Sequence, residues 1–322
     1  MQIISHGCFL LFPNEGFPNM TIEIRKTGTF DLDIVEINPV VFKGKLWLME
    51  YIRNFDKPHH RYYANHTGDS YFRFLSLEDY RTVTPPFGKG LHFCNAFAHG
   101  DKMVVTAVEN WGKSRFYQME SDDLVHWTEP HVILEGEGWM GYNTSVCQVE
   151  DHFLLTFELG APKEMVGRPF TMFFAESTDL MNWKWLGPDK SLVKDIYTGG
   201  PMIRYYDGWY FFFYLADDPD PKKHYVNRVM RSRDLVKWEP GKRDVLVYDE
   251  KDKLIHPKAN LTPEQLQVIA NAEDYNNSDL DMCEWQGKLL LTYSWGNQHG
   301  TEFLAFAEAD ASERDFCFSF FE

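Results

Sequence analysis

The residues best suited to chemistry in this chain are carboxylates set among amides and hydroxyls. Asn276, Asn277, Ser278 and Asp279, with Asp281 two residues on, gather more such groups than a turn requires, and so do Tyr142, Asn143 and Ser145. A third group is Asp33, Glu36 and Asn38, and a fourth is His92, Cys94 and Asn95. Further carboxylates stand at the ends of apolar runs: Glu50, Glu109, Glu158 and Asp217. One carboxyl held protonated beside another held ionised is the equipment of acid–base chemistry at a sugar acetal, with amides to bind hydroxyls and an indole to stack on the ring. The candidate catalytic carboxyls are Asp279, Glu158 and Glu36, with Asp281 beside them. The candidate binders are Asn38, His92, Asn95, Asn143, Arg168 and His299, with Trp111, Trp139 and Trp295 for stacking. Spacing by two should put Asp279 and Asp281 on one strand face, where mutual repulsion would raise one pKa and create a proton donor. Glu36 and Asn38 should share a face in the same way. His299, in the segment SWGNQHGTEF, is an alternative acid.

Such residues lie far apart in sequence, so a repeating architecture must bring them together. The string S-x-D-L-x-x-W occurs at 121–127, 177–183 and 232–238, with degenerate copies in SLEDYRTVTPP and DASERDFCFSF. Ahead of each copy stands a short strand, a turn and a very apolar strand, as in NPVVFKGKLWLMEYI, TSVCQVEDHFLLTFE and GPMIRYYDGWYFFFYL. The turns fall at Gly44, Asp101, Asp151, Gly208 and Gly287. A third strand follows, then the D-L turn and the Trp strand. Four antiparallel strands in each of five units predict an all-β, five-bladed β-propeller spanning 1–322 as a single domain. The long last interval predicts an insertion near 250–275, where Thr262, Pro263 and Gln265 make a capping box for a short helix before the last blade. In a propeller, first-strand starts and second-strand ends converge at the axis, which is where the candidate residues fall. The D-L-x-x-W tryptophans are expected to pack between blades.

Composition limits the partners. With 32 Lys+Arg against 48 Asp+Glu the net charge is −16, which argues against nucleic acid and against an anionic membrane surface. The 16% aromatic content favours strands over helices. Five scattered cysteines (Cys8, Cys94, Cys147, Cys283, Cys317) form no CxxC pair, so neither a disulfide framework nor a zinc cluster is expected. No cofactor is required. Asp-rich loops leave room for a divalent cation such as calcium, although no D-x-[DN]-x-[DN]-G loop is present. The N-terminus lacks a basic leader, so the chain as given reads as cytoplasmic, or as periplasmic or secreted had a leader been removed.

On the blade rhythm, the S-x-D-L-x-x-W turns and the segment GGPMIRYYDGWYFFFY, the chain resembles the five-bladed-propeller glycoside hydrolases, the group that includes families 32, 43, 62, 68, 117 and 130. The resemblance implies hydrolysis of an oligosaccharide or glycoside, with exo action on a terminal sugar of a plant or algal glycan. It departs from family 43 at two places. The Asp-Pro expected at the first blade is Asn38-Pro39, and the Glu-Gly-Pro expected at the fourth is Gly199-Gly200-Pro201. The chemistry would then rest on other carboxylates of the funnel: Glu158 as acid, and Asp279 or Glu36 as base or nucleophile. The competing expectations are a glycoside phosphorylase and a carbohydrate-binding propeller without catalysis.

Overall fold

The computed structural model describes residues 21–53, 70–217, 220, 224–297 and 302–322. Five antiparallel sheets form a ring of blades. The inner strands are Asn38–Phe42, His92–His99, Gly141–Val149, Gly199–Tyr206 and Asn276–Trp285. The second strands are Lys45–Arg53, Lys102–Val108, His152–Leu159, Trp209–Asp217 and Lys288–Gly296. Second strands are apolar on both sides because each blade packs against a neighbour on either face, so Phe211, Phe212 and Phe213 are buried in succession. Five hydrophobic clusters result, one between each adjacent pair of blades.

The D-L-x-x-W turns work as expected. Ser121, Ser177 and Ser232 open turns in which Asp123, Asp179 and Asp234 accept the following backbone N–H groups. Each tryptophan then leans on the preceding blade: Trp127 stacks on Phe87 at 3.8 Å, Trp183 donates to Gln118 at 2.9 Å, and Trp238 donates to the Ser191 carbonyl at 3.0 Å.

Both degenerate copies depart from the pattern. After the third strand of blade one, Ser70–Ser76, the chain makes only isolated bridges through Val83 and Phe87. Pro85 and Pro86 between them lack the N–H that a ladder needs. In blade five the segment DASERDFCFSF forms a helix, Glu313–Phe318, capped by Ser312. The outer strand there is the N-terminal segment Arg25–Leu32, paired with Glu302–Ala309, so strands from the two ends of the described chain close the ring. With that edge occupied, Phe316, Cys317 and Phe320 turn inward and fill the core between blades four and five. The predicted insertion holds a helix, Pro263–Asn271, in which Thr262 accepts from Gln265 N at 3.3 Å and Gln265 accepts from Thr262 N at 2.9 Å. No helix among the described residues is long and apolar enough to cross a membrane.

Candidate active site

The register of the inner hairpins defines equivalent positions in all five blades. Asn38 pairs with Met49, Asn95 with Thr106, Ser145 with Thr156, Met202 with Phe213, and Asp281 with Thr292, each eleven residues on. Two residues before these stand Glu36, Phe93, Asn143, Gly200 and Asp279. In blades two to five the ladder slips at this point. Glu36, Phe93, Gly200 and Asp279 also take left-handed backbone, at φ 55°, 53°, 59° and 48°. The irregularity breaks the two-residue alternation and brings the side chain there onto the axis. On the second strands the matching positions, two beyond the partner residue, are Tyr51, Val108, Glu158, Leu215 and Ser294. Glu158 is the one carboxylate among them.

These positions enclose a cavity of about 160 Å³. Glu36, Glu158, Asp279 and Asn143 line it together with Arg53 and Glu302, and an aromatic wall is formed by Trp111, Tyr142, Phe170, Tyr197 and Tyr225. Tyr197 and Tyr225 stack at 5.0 Å. Adjoining it is a neck of about 30 Å³, room for about one water, lined by Asn38, Asn95, Thr144 and Asp281 and sharing Glu36, Asn143 and Asp279 with the cavity. The neck leads to a vestibule of about 390 Å³ that shares those two asparagines and Asp281.

The electrostatics follow from burial. Glu158 is 3% exposed, and burial pushes its carboxyl up to about 8, against the pull of hydrogen bonds from the Asn143 side chain (2.9 Å), the Asn143 backbone and the Gly200 N–H. Glu36 is pushed up to about 8 by burial and by the Asp279 charge, with Arg53 pulling the other way. Asp279 is raised by burial, while hydroxyls from Ser294 and Ser278 (3.2 Å) and the Arg53 charge favour its ionised form. Two of the three carboxyls, Glu36 and Asp279, thus share the field of Arg53, and Glu158 feels the Asp279 charge. Burial favours the protonated form of Glu36 and Glu158 at neutral pH, while at Asp279 it is opposed by two serine hydroxyls and the Arg53 charge.

The other expectations fare differently. The ladder slips between Ser278 and Asp281, so Asp279 and Asp281 are not in regular alternation; both line the neck, but only Asp279 lines the cavity. Asp281 bonds Arg204 at 2.7 Å, in a buried network with Glu313. Asn38 and Asn95 reach the neck, but the whole Asn38 amide and the Asn95 carbonyl oxygen are engaged in stapling blades together. Asn38 donates to Ala96 O at 3.0 Å and accepts from Ala96 N at 3.1 Å, and Asn95 accepts from Val146 N at 3.2 Å. Ser145 does the same for Ile203 N at 3.2 Å. The series ends there, because the equivalent position on blade four is Met202 and Asp281 on blade five is taken up by Arg204.

His92 is 1% exposed and sits behind the cavity wall, bonded to Tyr51 at 2.5 Å. Trp139 is core, packed on Trp185 at 5.3 Å, and so is Trp295, which stacks on Phe303 at 4.2 Å and donates to Thr29. Arg168 is half-exposed and pairs with Asp217. Among the three tryptophans only Trp111 lines the cavity. His299 lies outside the described residues. Among the described residues no group of three or more His, Cys, Asp or Glu side chains could hold a metal ion. Glu302 was expected on the funnel rim and does line the cavity, whereas Arg53 and the Tyr197–Tyr225 pair were not singled out from sequence. The second strand of blade one runs to Arg53, three residues past Glu50, and alternation puts Arg53 on the face of Tyr51.

No protein-family model matches the chain, and no curated protein matches it in sequence. Solved structures do match in shape. One is a family 32 β-fructofuranosidase from Bombyx mori in complex with sucrose, at 13% identity and TM-score 0.58, covering 88% of this chain and 62% of that one. Another is the catalytic domain of a family 62 α-L-arabinofuranosidase from Coprinopsis cinerea, at 10% identity and TM-score 0.57, covering 91% and 98%. A third is an N-acetylgalactosamine deacetylase from F. plautii in complex with blood group B trisaccharide, at 10% identity and TM-score 0.58, covering 92% and 97%. The chain therefore has the five-bladed propeller fold found among glycoside hydrolases, and at these identities the likeness extends to the fold alone.

Proposed function

We propose that the chain is a glycoside hydrolase acting on a terminal sugar. The observation that carries this is the convergence of Glu36, Glu158 and Asp279 on one aromatic-walled cavity. Glu158, protonated up to about pH 8 and oriented by Asn143, gives its proton to the glycosidic oxygen as the bond to the anomeric carbon breaks. Asp279, whose charged form is favoured by Arg53 and two serine hydroxyls, takes the proton of the attacking water or bonds the anomeric carbon directly. Glu36 remains protonated and hydrogen-bonds the substrate. Trp111 offers its ring face to the sugar.

The test is a screen of aryl glycosides and oligosaccharides, followed by Glu158→Gln and Asp279→Asn. Each change is expected to lower kcat by roughly 10²–10⁴-fold with the melting temperature retained. Turnover indifferent to both substitutions would sink the assignment. Sugar binding with no turnover by the unsubstituted protein would point to a carbohydrate-binding propeller.

A further inference from the structure

The residues most buried among the cations are Lys26, 9% exposed, and Arg53, 5% exposed. Lys26 is fully met, by Asp252 at 2.7 Å, the Val247 carbonyl at 2.7 Å and Asn277 at 3.0 Å. Arg204, also largely buried, is met by Asp281, Glu313 and two backbone carbonyls. Where this fold buries a cation for structure, it surrounds that cation with acceptors.

Arg53 is the exception among the described residues. Its guanidinium lies over the Tyr51 ring at 5.4 Å, and its Nε has no hydrogen-bond partner. It feels the charges of Glu36 and Asp279, yet no described carboxylate forms an ion pair with it within 4.0 Å. Glu36 Oε2 is also without a partner. Both unmet groups line the same cavity. A guanidinium can only donate, and a buried donor left unmet is costly, so the acceptor is expected from the ligand. A sugar hydroxyl can answer one N–H. A planar or tetrahedral oxyanion answers the fork of N–H groups and the charge together.

We infer that Arg53 is the docking group for an anionic oxygen cluster, so that the site takes either a sugar bearing a carboxylate or a neutral sugar together with phosphate. The inference deepens the glycoside hydrolase reading and rests on it for the sugar. A protonated Glu36 supports it by adding a second donor toward the same oxyanion.

The test measures binding to the full chain by tryptophan fluorescence and calorimetry. The probes are methyl glucuronide and galacturonide, the corresponding neutral methyl glycosides, and inorganic phosphate. The expected result is a preference of about 10- to 100-fold for the uronide over its neutral counterpart, or saturable phosphate binding. Arg53→Met should reduce either effect to within about 2-fold. Arg53→Lys keeps the charge without the fork, should lose most of the effect, and serves if the methionine variant does not fold. A uronide preference without phosphate binding identifies the sugar carboxylate. Phosphate binding with turnover of neutral glycosides only in its presence identifies phosphate.

Equal binding of acidic and neutral sugars with no phosphate binding overturns the inference, as does a preference that survives Arg53→Met. Hydrolysis of neutral glycosides with neither effect would leave the hydrolase reading standing and this one refuted. Uronide binding that never leads to turnover would do the reverse.

Discussion

Asn38 occupies the place where a family 43 enzyme would carry its base, and the structure gives it a different task. Its carboxamide is 5% exposed and makes two bonds to the Ala96 backbone, at 3.0 and 3.1 Å. Asn38→Ala leaves a buried N–H and a buried C=O unmet at about 1–3 kcal/mol each, so the expected destabilisation is about 2–5 kcal/mol. Asn95→Ala removes one such bond, to Val146 N at 3.2 Å, and should cost about half as much. Asn38→Asp is the sharper variant. One carboxyl oxygen still accepts from Ala96 N, but the other faces the Ala96 carbonyl and must carry a proton to bond it. The introduced acid therefore has a folded pKa above its unfolded value. The stability this provides is fully present below the unfolded pKa and is lost as pH rises through the folded one. Denaturant midpoints followed by tryptophan fluorescence should show Asn38→Asp close to the unsubstituted protein at pH 4 and clearly weaker at pH 8. Sugar affinity should stay within about 2-fold throughout. The reasoning is refuted if Asn38→Ala leaves the midpoint unchanged while sugar binding falls more than about 10-fold, or if Asn38→Asp raises turnover.

Burial raises Glu36 and Glu158 to about 8, so the folded state holds more protons than the unfolded state from about pH 4.5 to 8, and unfolding free energy should fall across that interval. Glu158→Gln should flatten the fall in urea titrations run at several pH values, and an equally steep profile in the variant would contradict the assignment. Asp281→Asn breaks a buried ion pair with Arg204 and should cost about 2–4 kcal/mol, read as a lower melting temperature with sugar affinity preserved. A large loss of turnover at unchanged stability would instead make Asp281 a working acid. Asp279→Gly removes a side chain from left-handed backbone (φ 48°) and a buried charge, so calorimetry should show a protein more stable by about 1–2 kcal/mol and inactive. Trp111→Ala should weaken sugar binding with little effect on melting, whereas Trp139→Ala should cost about 3–5 kcal/mol in denaturant unfolding because Trp139 packs in the core between blades two and three.

The repeat was legible because packing demands it. Every second strand is flanked by blades on both faces, so the apolar run recurs, and every D-L turn needs the same serine, aspartate and left-handed leucine, as Leu124, Leu180 and Leu235 show at φ 63°, 61° and 60°. Glu36, Glu158 and Asp279 were legible as positions for the same reason. What alternation could not supply was orientation. Counting by two put Asp281 with Asp279 and Asn38 with Glu36; all four line the neck, but only Glu36 and Asp279 also line the cavity above, while Asp281 is held by Arg204 and Asn38 by the Ala96 backbone. The tryptophans misled because position near a strand end does not say which face a ring takes, and Trp139 and Trp295 turn into the core. Arg53 was hidden because the second strand of blade one runs past the acidic residue at which it was expected to end.

The left-handed ring also separates structural from functional choices. Among its four members Gly200 is the inexpensive solution, since glycine adopts positive φ without a Cβ penalty. Phe93 recovers the cost by burial, at 2% exposure, in the cluster between blades two and three. Glu36 and Asp279 recover nothing of that kind. Each adds backbone strain of order 1 kcal/mol and places a carboxyl in surroundings that resist its charge. A fold selected for stability alone would put glycine or asparagine at both positions. Strained backbone and raised pKa values on two adjacent blades, with Glu158 across the same cavity, are what a site that must hold and release protons requires. The absence of a carboxylate at Asn38 and Gly199 is then no argument against catalysis, because the positions that reach the axis in this chain are 36, 158 and 279.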